Sequence, residues 1–149
     1  MVTVEQVREA VARIPDPEIP AVTIDELGIL RGVEERDGKV VVKITPTYSG
    51  CPALDAIREE IRRTFVELGV AGEVETVYSP AWTTDWIDEH ARRRLESVGI
   101  APPVDRAQVT CPRCRSGQPR TVSEFGSTAC KALMVCSSCG EPFDWFKPI

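Results

Sequence analysis

Cys111-Pro112-Arg113-Cys114 and Cys136-Ser137-Ser138-Cys139 form two C-x2-C knuckles with 21 residues between them, close to the spacing of a four-cysteine zinc site. Tetrahedral coordination needs two ligand pairs from distant turns, and each knuckle offers two sulfurs from one tight turn. Structural zinc at Cys111, Cys114, Cys136 and Cys139 is the leading expectation. Rubredoxin-like iron or an iron-sulfur cluster would use the same cysteines. About 40 residues cannot bury enough surface to fold unaided, so the metal is expected to supply on the order of 10 kcal/mol of folding free energy. Cys130 lies outside both knuckles and reads as a buried fifth cysteine; a free thiol near the site or a replacement ligand are the alternatives.

A different chemistry is available at Thr45-Pro46-Thr47-Tyr48-Ser49-Gly50-Cys51-Pro52-Ala53. The stretch reads as a strand end, a polar turn and a cysteine where the next helix begins, with Pro52 suited to the first helical position. Unpaired N–H groups and the helix dipole at that point favour a thiolate. A small buried apolar residue is the other reading of Cys51. Pro15-Asp16-Pro17-Glu18-Ile19-Pro20 places two carboxylates on a loop that three alternate prolines should hold extended. Asp16 and Glu18 there are candidate ligands, proton acceptors or partners for a backbone N–H, or plain solvated charges.

The elements that must position these residues are legible from periodicity. Thr3 and Gln6 fit a capping box, and Val4, Val7, Val11 and Ile14 recur at helical spacing up to Pro15. Thr23 to Gly28 looks like one capped turn closed by glycine. Ile29 to Glu35 and Lys39 to Thr45 read as strands joined by Asp37-Gly38, a hairpin signal because a type I′ turn requires positive φ. Leu54, Ile57, Ile61, Phe65 and Leu68 mark an amphipathic helix ended by Gly69, and Glu73 to Tyr78 a third strand. A last helix of this half is expected after Pro80, capped by threonine, with Arg92, Arg93 and Arg94 offsetting its dipole and His90 on its surface. Trp82 and Trp86 are expected at the core edge.

Gly99 to Val104 reads as a stiff linker, so the chain is divided into 1–101 and 102–149. In the second part Thr121 to Phe125 and Ala132 to Val135 read as strands, and the aromatic end, Pro142 to Lys147, as packing across the ribbon. The expected fold class is α+β: a small two-layer α/β sandwich, with a short mixed sheet carrying helices on one face, followed by a small four-cysteine zinc ribbon.

Composition narrows the function classes. With 42% apolar and 28% charged residues the chain can build a core. A net charge of -5 argues against a general grip on nucleic acid. The N-terminus lacks a basic start and an apolar run, and no stretch is long enough to span a bilayer, so a cytoplasmic protein with no membrane partner is expected. In that compartment six cysteines point to metal binding or thiol chemistry more than to disulfides. There is no histidine-based triad, phosphate-binding glycine loop or catalytic zinc motif, so an ordinary enzyme is not expected.

Three stretches carry a resemblance: Asp16-Pro17-Glu18-Ile19-Pro20, Ile24-Asp25-Glu26-Leu27-Gly28-Ile29, and Thr45 to Pro52. With them, residues 1 to 100 resemble the iron-sulfur assembly domain shared by SufT-like and PaaD-like proteins. The ribbon, with Phe125-Gly126-Ser127-Thr128-Ala129-Cys130-Lys131-Ala132-Leu133 and Glu141-Pro142-Phe143-Asp144, is similar to the PaaD type, the accessory subunits encoded with phenylacetyl-CoA ring epoxidases. The resemblance implies a maturation factor of phenylacetate catabolism that helps supply metal or an iron-sulfur cluster to a di-iron oxygenase or an iron-sulfur reductase. It implies Cys51 as the contact for a transient cluster, Asp16 and Glu18 as shaping its site, and Thr47 and Ser49 as lining the turn. A homodimer would provide a second thiolate. Two other functions fit the same residues: a non-catalytic adaptor with a structural zinc ribbon, and electron transfer through an iron-loaded ribbon.

Overall fold

The computed structural model describes residues 1–48 and 51–149. Packing divides them into two compact units, Met1–Trp86 and Ile87–Ile149. The linker composition placed the change of character at 101/102, and the helix and short strand that precede it pack within the second unit.

In the first unit α1, Val4–Ala12, begins at the expected capping box. Gln6 N–H donates to Thr3 Oγ1 (3.1 Å) and Thr3 N–H to Gln6 Oε1 (2.8 Å). Its inward face buries Val7 and Val11. β1 (Leu30–Arg36) and β2 (Lys39–Ile44) form the hairpin, with Asp37 at φ 54° and Gly38 at φ 77°, both in the left-handed region a type I′ turn needs. α2, Ala53–Leu68, buries Ala53, Leu54, Ile57, Ile61 and Phe65 and ends at Gly69. The chain then returns as β3, Gly72–Thr76, parallel to β2 with Val42 opposite Val74. The sheet order is β1-β2-β3, antiparallel then parallel. α1 packs on α2, on β1 and on β2, while α2 packs on β3, which completes the two-layer mixed sandwich. Val41 and Val42 point to opposite faces of β2 and both are fully buried. The central strand is therefore covered on both sides.

The second unit holds α3, Glu89–Ser97, and a four-stranded sheet of order β4-β7-β6-β5, made of β4 (Ile100–Ala101), β5 (Arg120–Ser123), β6 (Lys131–Val135) and β7 (Pro142–Phe146). β7 pairs antiparallel with β6 and parallel with β4. Its aromatic run thus becomes a strand, and Phe143 and Trp145 join Ala101, Val109, Ala132 and Met134 in the ribbon core.

Three local expectations differ from the fold. The proline loop is not extended but turns, as described below. The helix after Pro80 starts later than expected: Thr84–Trp86 is a short 3-10 turn, and α3 is capped by Asp88, whose Oδ1 accepts the Ala91 N–H (2.7 Å). Arg92 does not face solvent as a dipole partner, since its guanidinium donates to the carbonyls of Ile87 (3.2 Å) and Pro103 (3.0 Å). His90 is on the surface and Trp82 is buried, as expected. Among the described residues no helix is long and apolar enough to cross a membrane.

Candidate metal centre and thiol site

The two knuckles have the same construction. In the first, Arg115 N–H donates to Cys111 O (2.9 Å) and Cys111 N–H to Ser116 O (2.9 Å); in the second, Gly140 N–H donates to Cys136 O (3.0 Å) and Cys136 N–H to Glu141 O (2.9 Å). Both turns close through a residue at positive φ, Arg115 at 69° and Gly140 at 76°. Glycine at 140 advertised this turn; arginine at 115 did not. Backbone N–H groups aim at the first sulfur of each pair: Cys114 N–H at Cys111 Sγ (3.5 Å), and the N–H groups of Ser138 and Cys139 at Cys136 Sγ (both 3.4 Å).

These turns bring all four sulfurs within 4.8 Å of one another. Cys111 lies 3.8 Å from Cys139 and Cys114 lies 3.5 Å from Cys136. A zinc–sulfur bond of about 2.3 Å sets a tetrahedral edge of about 3.8 Å, so the donor set fits a tetrahedral thiophilic metal. Cys111 and Cys136 are buried in the ribbon core, and Cys114 and Cys139 face solvent.

The thiols are electrostatically uneven. The hydroxyl and N–H of Ser116, followed by Cys136, hold the Cys114 thiol down at about 6. The Cys139 N–H lowers Cys136 as well. At Cys139 the Glu141 N–H favours the thiolate, but desolvation by the surrounding cluster and the neighbouring Cys136, Cys114 and Cys111 together push it up to about 12. Four thiolates so close repel one another, and a divalent cation among them removes that repulsion. Cys130 is not in the set: it is buried, with its sulfur 3.0 Å from Thr128 Oγ1.

In the first unit the motif stretches are stitched together by backbone bonds. Ile24 N–H donates to Ile14 O (2.9 Å), Ile29 N–H to Ile24 O (2.9 Å), and Thr45 N–H to Ile29 O (3.0 Å). Within the proline loop, Asp16 N–H donates to Val22 O (2.9 Å). Its carboxylate Oδ1 accepts the N–H groups of Glu18 (2.8 Å) and Ile19 (2.9 Å). Asp16 is only 4% exposed. Of the roles open to it in the sequence, backbone acceptor is the one this oxygen fills, and it bends the loop into a turn that Pro17 permits. Glu18 is half-buried on the same turn.

Cys51 and Thr47 form the second grouping. Thr47 Oγ1 donates to Cys51 Sγ (3.8 Å), and Cys51 N–H donates to Tyr48 O (3.2 Å). Cys51 is half-exposed. Pro52 is the N-cap residue of α2, one position before the first helical residue expected of it, and makes no side-chain capping bond. No side chain of Pro52 therefore competes for the helix-start N–H groups. Because α2 is the crossover between parallel β2 and β3, the Cys51 loop leaves the carboxyl end of β2, where α/β units place their ligands. Ser49 falls outside the described residues.

Supporting residues were missed in the sequence because each acts over a long separation. Trp82 Nε1–H donates to Leu27 O (2.8 Å), and Gly28 at φ 81° lies so close that a Cβ would stand 2.8 Å from Trp86 Cβ. The Arg31 guanidinium stacks 4.6 Å over the Trp86 ring and donates to Pro80 O (2.9 Å). Together they clamp the 24–28 turn. Arg58 of α2 bonds Asp55 and the Thr76 hydroxyl, fastening the helix to the end of β3.

Residues 4–78 match the family model described as iron-sulfur cluster assembly protein, and residues 98–147 match the PaaD zinc beta ribbon domain. The chain is 46% identical, over 98% of its length and 93% of the relative's, to a protein of Escherichia coli (strain K12) named as the candidate D component of 1,2-phenylacetyl-CoA epoxidase. The chain belongs to the PaaD-type iron-sulfur cluster assembly family. A second member of the wider family, an Fe-S protein maturation auxiliary factor of Porphyromonas gingivalis, is 34% identical over 62% of this chain and 90% of its own. The crystal structure of domain of unknown function DUF59 from Bacillus anthracis shares the fold over 62% of this chain and 90% of that one, with a TM-score of 0.56 at 23% identity. The segment matched to the PaaD zinc beta ribbon domain holds the four clustered cysteines, and that unit binds metal.

Proposed function

We propose that this PaaD-type chain is a non-catalytic maturation factor acting in the cytoplasm. It takes an iron-sulfur cluster, or the iron for one, as cargo at Cys51 and delivers it to a subunit of a phenylacetyl-CoA epoxidase system, either the di-iron oxygenase or the iron-sulfur reductase. The assembly role resides in residues 1–101 and the docking role in 102–149, where zinc at Cys111, Cys114, Cys136 and Cys139 is structural. The observation that carries the reading is a half-exposed thiol before a helix start that its own N-cap side chain leaves open, inside a segment matched to iron-sulfur cluster assembly proteins.

The residues divide the task. The Cys51 thiol stands just before the α2 start, and the Thr47 hydroxyl donates to its sulfur. Asp16 fixes its own proline loop, and Glu18 and Ser49 are further polar groups of the proposed site. A single exposed thiolate holds cargo loosely, so that a client's cysteines can displace it; a second copy of the chain would supply the other thiolate.

Anaerobic reconstitution with iron and sulfide tests this, using wild type, Cys51→Ala and Cys111→Ala and reading visible absorption with iron, sulfide and zinc counts. The expected result is chromophore in wild type and Cys111→Ala, its loss in Cys51→Ala, and zinc loss in Cys111→Ala alone. Equal chromophore in Cys51→Ala defeats the carrier reading and leaves the adaptor. Iron in place of zinc at the ribbon of anaerobically purified protein favours electron transfer instead.

A further inference from the structure

Thr45 stands where β2 gives way to the Cys51 loop, and at 1% exposed it is the most deeply buried polar residue described in the first unit. Its backbone is engaged: Thr45 N–H donates to Ile29 O (3.0 Å), which carries the pairing of β1 and β2 one step past Ile44. Its hydroxyl is not, for among the described residues it has no hydrogen-bond partner. A hydroxyl taken out of water without a partner is destabilising, so a native fold that keeps one holds it for a group outside the polypeptide. Asp16, buried almost as deeply, shows the ordinary outcome, with one oxygen accepting two N–H groups.

The direction of the side chain follows from the backbone. Pro46 disfavours the helical region at Thr45, which keeps the chain extended as it leaves the strand. In extended chain, residues two apart lie on one side. Thr45 therefore shares its side with Thr47, whose Oγ1 donates to Cys51 Sγ (3.8 Å). The two hydroxyls facing the thiol are not equivalent: Thr47 is engaged by the cysteine sulfur, and Thr45 remains for a second acceptor.

We propose that Thr45 is a further binding residue of the Cys51 site, its hydroxyl donating to a sulfide of the cargo. The assignment rests on the maturation reading above and narrows it, making the cargo an assembled iron-sulfur cluster rather than iron ions. An aliphatic hydroxyl keeps its proton at neutral pH, so it is a poor ligand for iron but a ready donor to an anionic sulfur. Hydrogen bonds to the sulfurs are among the interactions by which a protein tunes a cluster. Iron bound without sulfide brings no such acceptor, and the Cys51 sulfur is already served by Thr47.

Anaerobic loading of the full-length zinc-loaded chain with ferrous salt and sulfide, and separately with ferrous salt alone, tests this in wild type, Thr45→Val and Thr45→Ser. Valine keeps the shape and removes the hydroxyl; serine keeps the hydroxyl. Thr45→Val is expected to lose its cluster to an added chelator about tenfold faster than wild type, as for loss of one hydrogen bond to a charged acceptor, and Thr45→Ser within about twofold of wild type. Iron bound without sulfide is expected to be equal in all three. Cluster-free Thr45→Val is expected to unfold at a temperature no lower than wild type, because it loses a polar group and no bond. Equal cluster lifetimes in wild type and Thr45→Val would mean that the hydroxyl holds only water, which overturns the assignment and leaves the maturation reading standing. A lower unfolding temperature for Thr45→Val, or cluster loss from Thr45→Ser as fast as from Thr45→Val, would make the residue structural and overturn it as well. Less iron in Thr45→Val without sulfide would make an iron ion the cargo and overturn the choice of sulfide. Failure of wild type to load a cluster overturns both readings.

Discussion

Replacing Asp16 by alanine separates a structural carboxylate from a cargo ligand. The side chain is almost fully buried and one oxygen accepts two N–H groups at 2.8 and 2.9 Å. A hydrogen bond to a charged acceptor contributes about 1.5–3 kcal/mol, and a buried donor left bare costs about 1–3 kcal/mol. The Ile19 N–H is buried and cannot rehydrate, whereas the Glu18 N–H is partly open to water. Asp16→Ala should therefore destabilise the first unit by about 3 kcal/mol. For a unit of this size that corresponds to a midpoint about 15 °C lower. Asp16→Asn keeps a carbonyl acceptor at nearly the same place and should cost about 1 kcal/mol. The assay is thermal unfolding of the zinc-loaded full chain, followed by the indole signals of Trp82 and Trp86, which lie in the first unit. Cluster loading is measured in parallel well below the midpoint. A stability loss under about 0.5 kcal/mol together with lost cluster loading would refute the structural role and make Asp16 a ligand.

Gly28→Ala should destabilise the same unit by about 2 kcal/mol or more, since it combines left-handed backbone strain with a collision against Trp86; an unchanged midpoint would refute the clamp. Ser116→Ala should raise the pH at which the ribbon half-releases its metal, read with a colorimetric chelator during acid titration. The sign follows from the Cys114 thiol, which Ser116 holds at about 6: its thiolate persists on acidification down to that value, and without the hydroxyl protons displace the metal earlier. An unchanged or lower release pH would refute it.

What the sequence made legible was whatever is set by near neighbours. The capping box at Thr3, the Asp37-Gly38 turn, the α2 stripe and the two knuckles each depend on residues a few positions apart, and each appears as expected. What it concealed was set by partners far along the chain. Asp88 takes the cap of α3 because Thr84–Trp86 is occupied by a 3-10 turn beside the Gly28–Trp86 contact. Prolines at 15, 17 and 20 suggested an extended segment, yet proline fixes only its own φ and disfavours helix in its predecessor. The Asp16 carboxylate could therefore still draw the Glu18 and Ile19 N–H groups inward and close a turn.

The same distinction explains why the stronger metal signal and the better functional candidate are different cysteines. A four-sulfur set made from two identical turns, half of it buried in the ribbon core, leaves no open coordination position, and closed tetrahedral sites are structural. Exchange of cargo requires the opposite: few ligands and partial exposure. Cys51 meets the exposure condition. If Cys111→Ala abolished zinc yet left chromophore at Cys51, the two sites would be energetically separate. The ribbon would then act through its surface rather than through its metal.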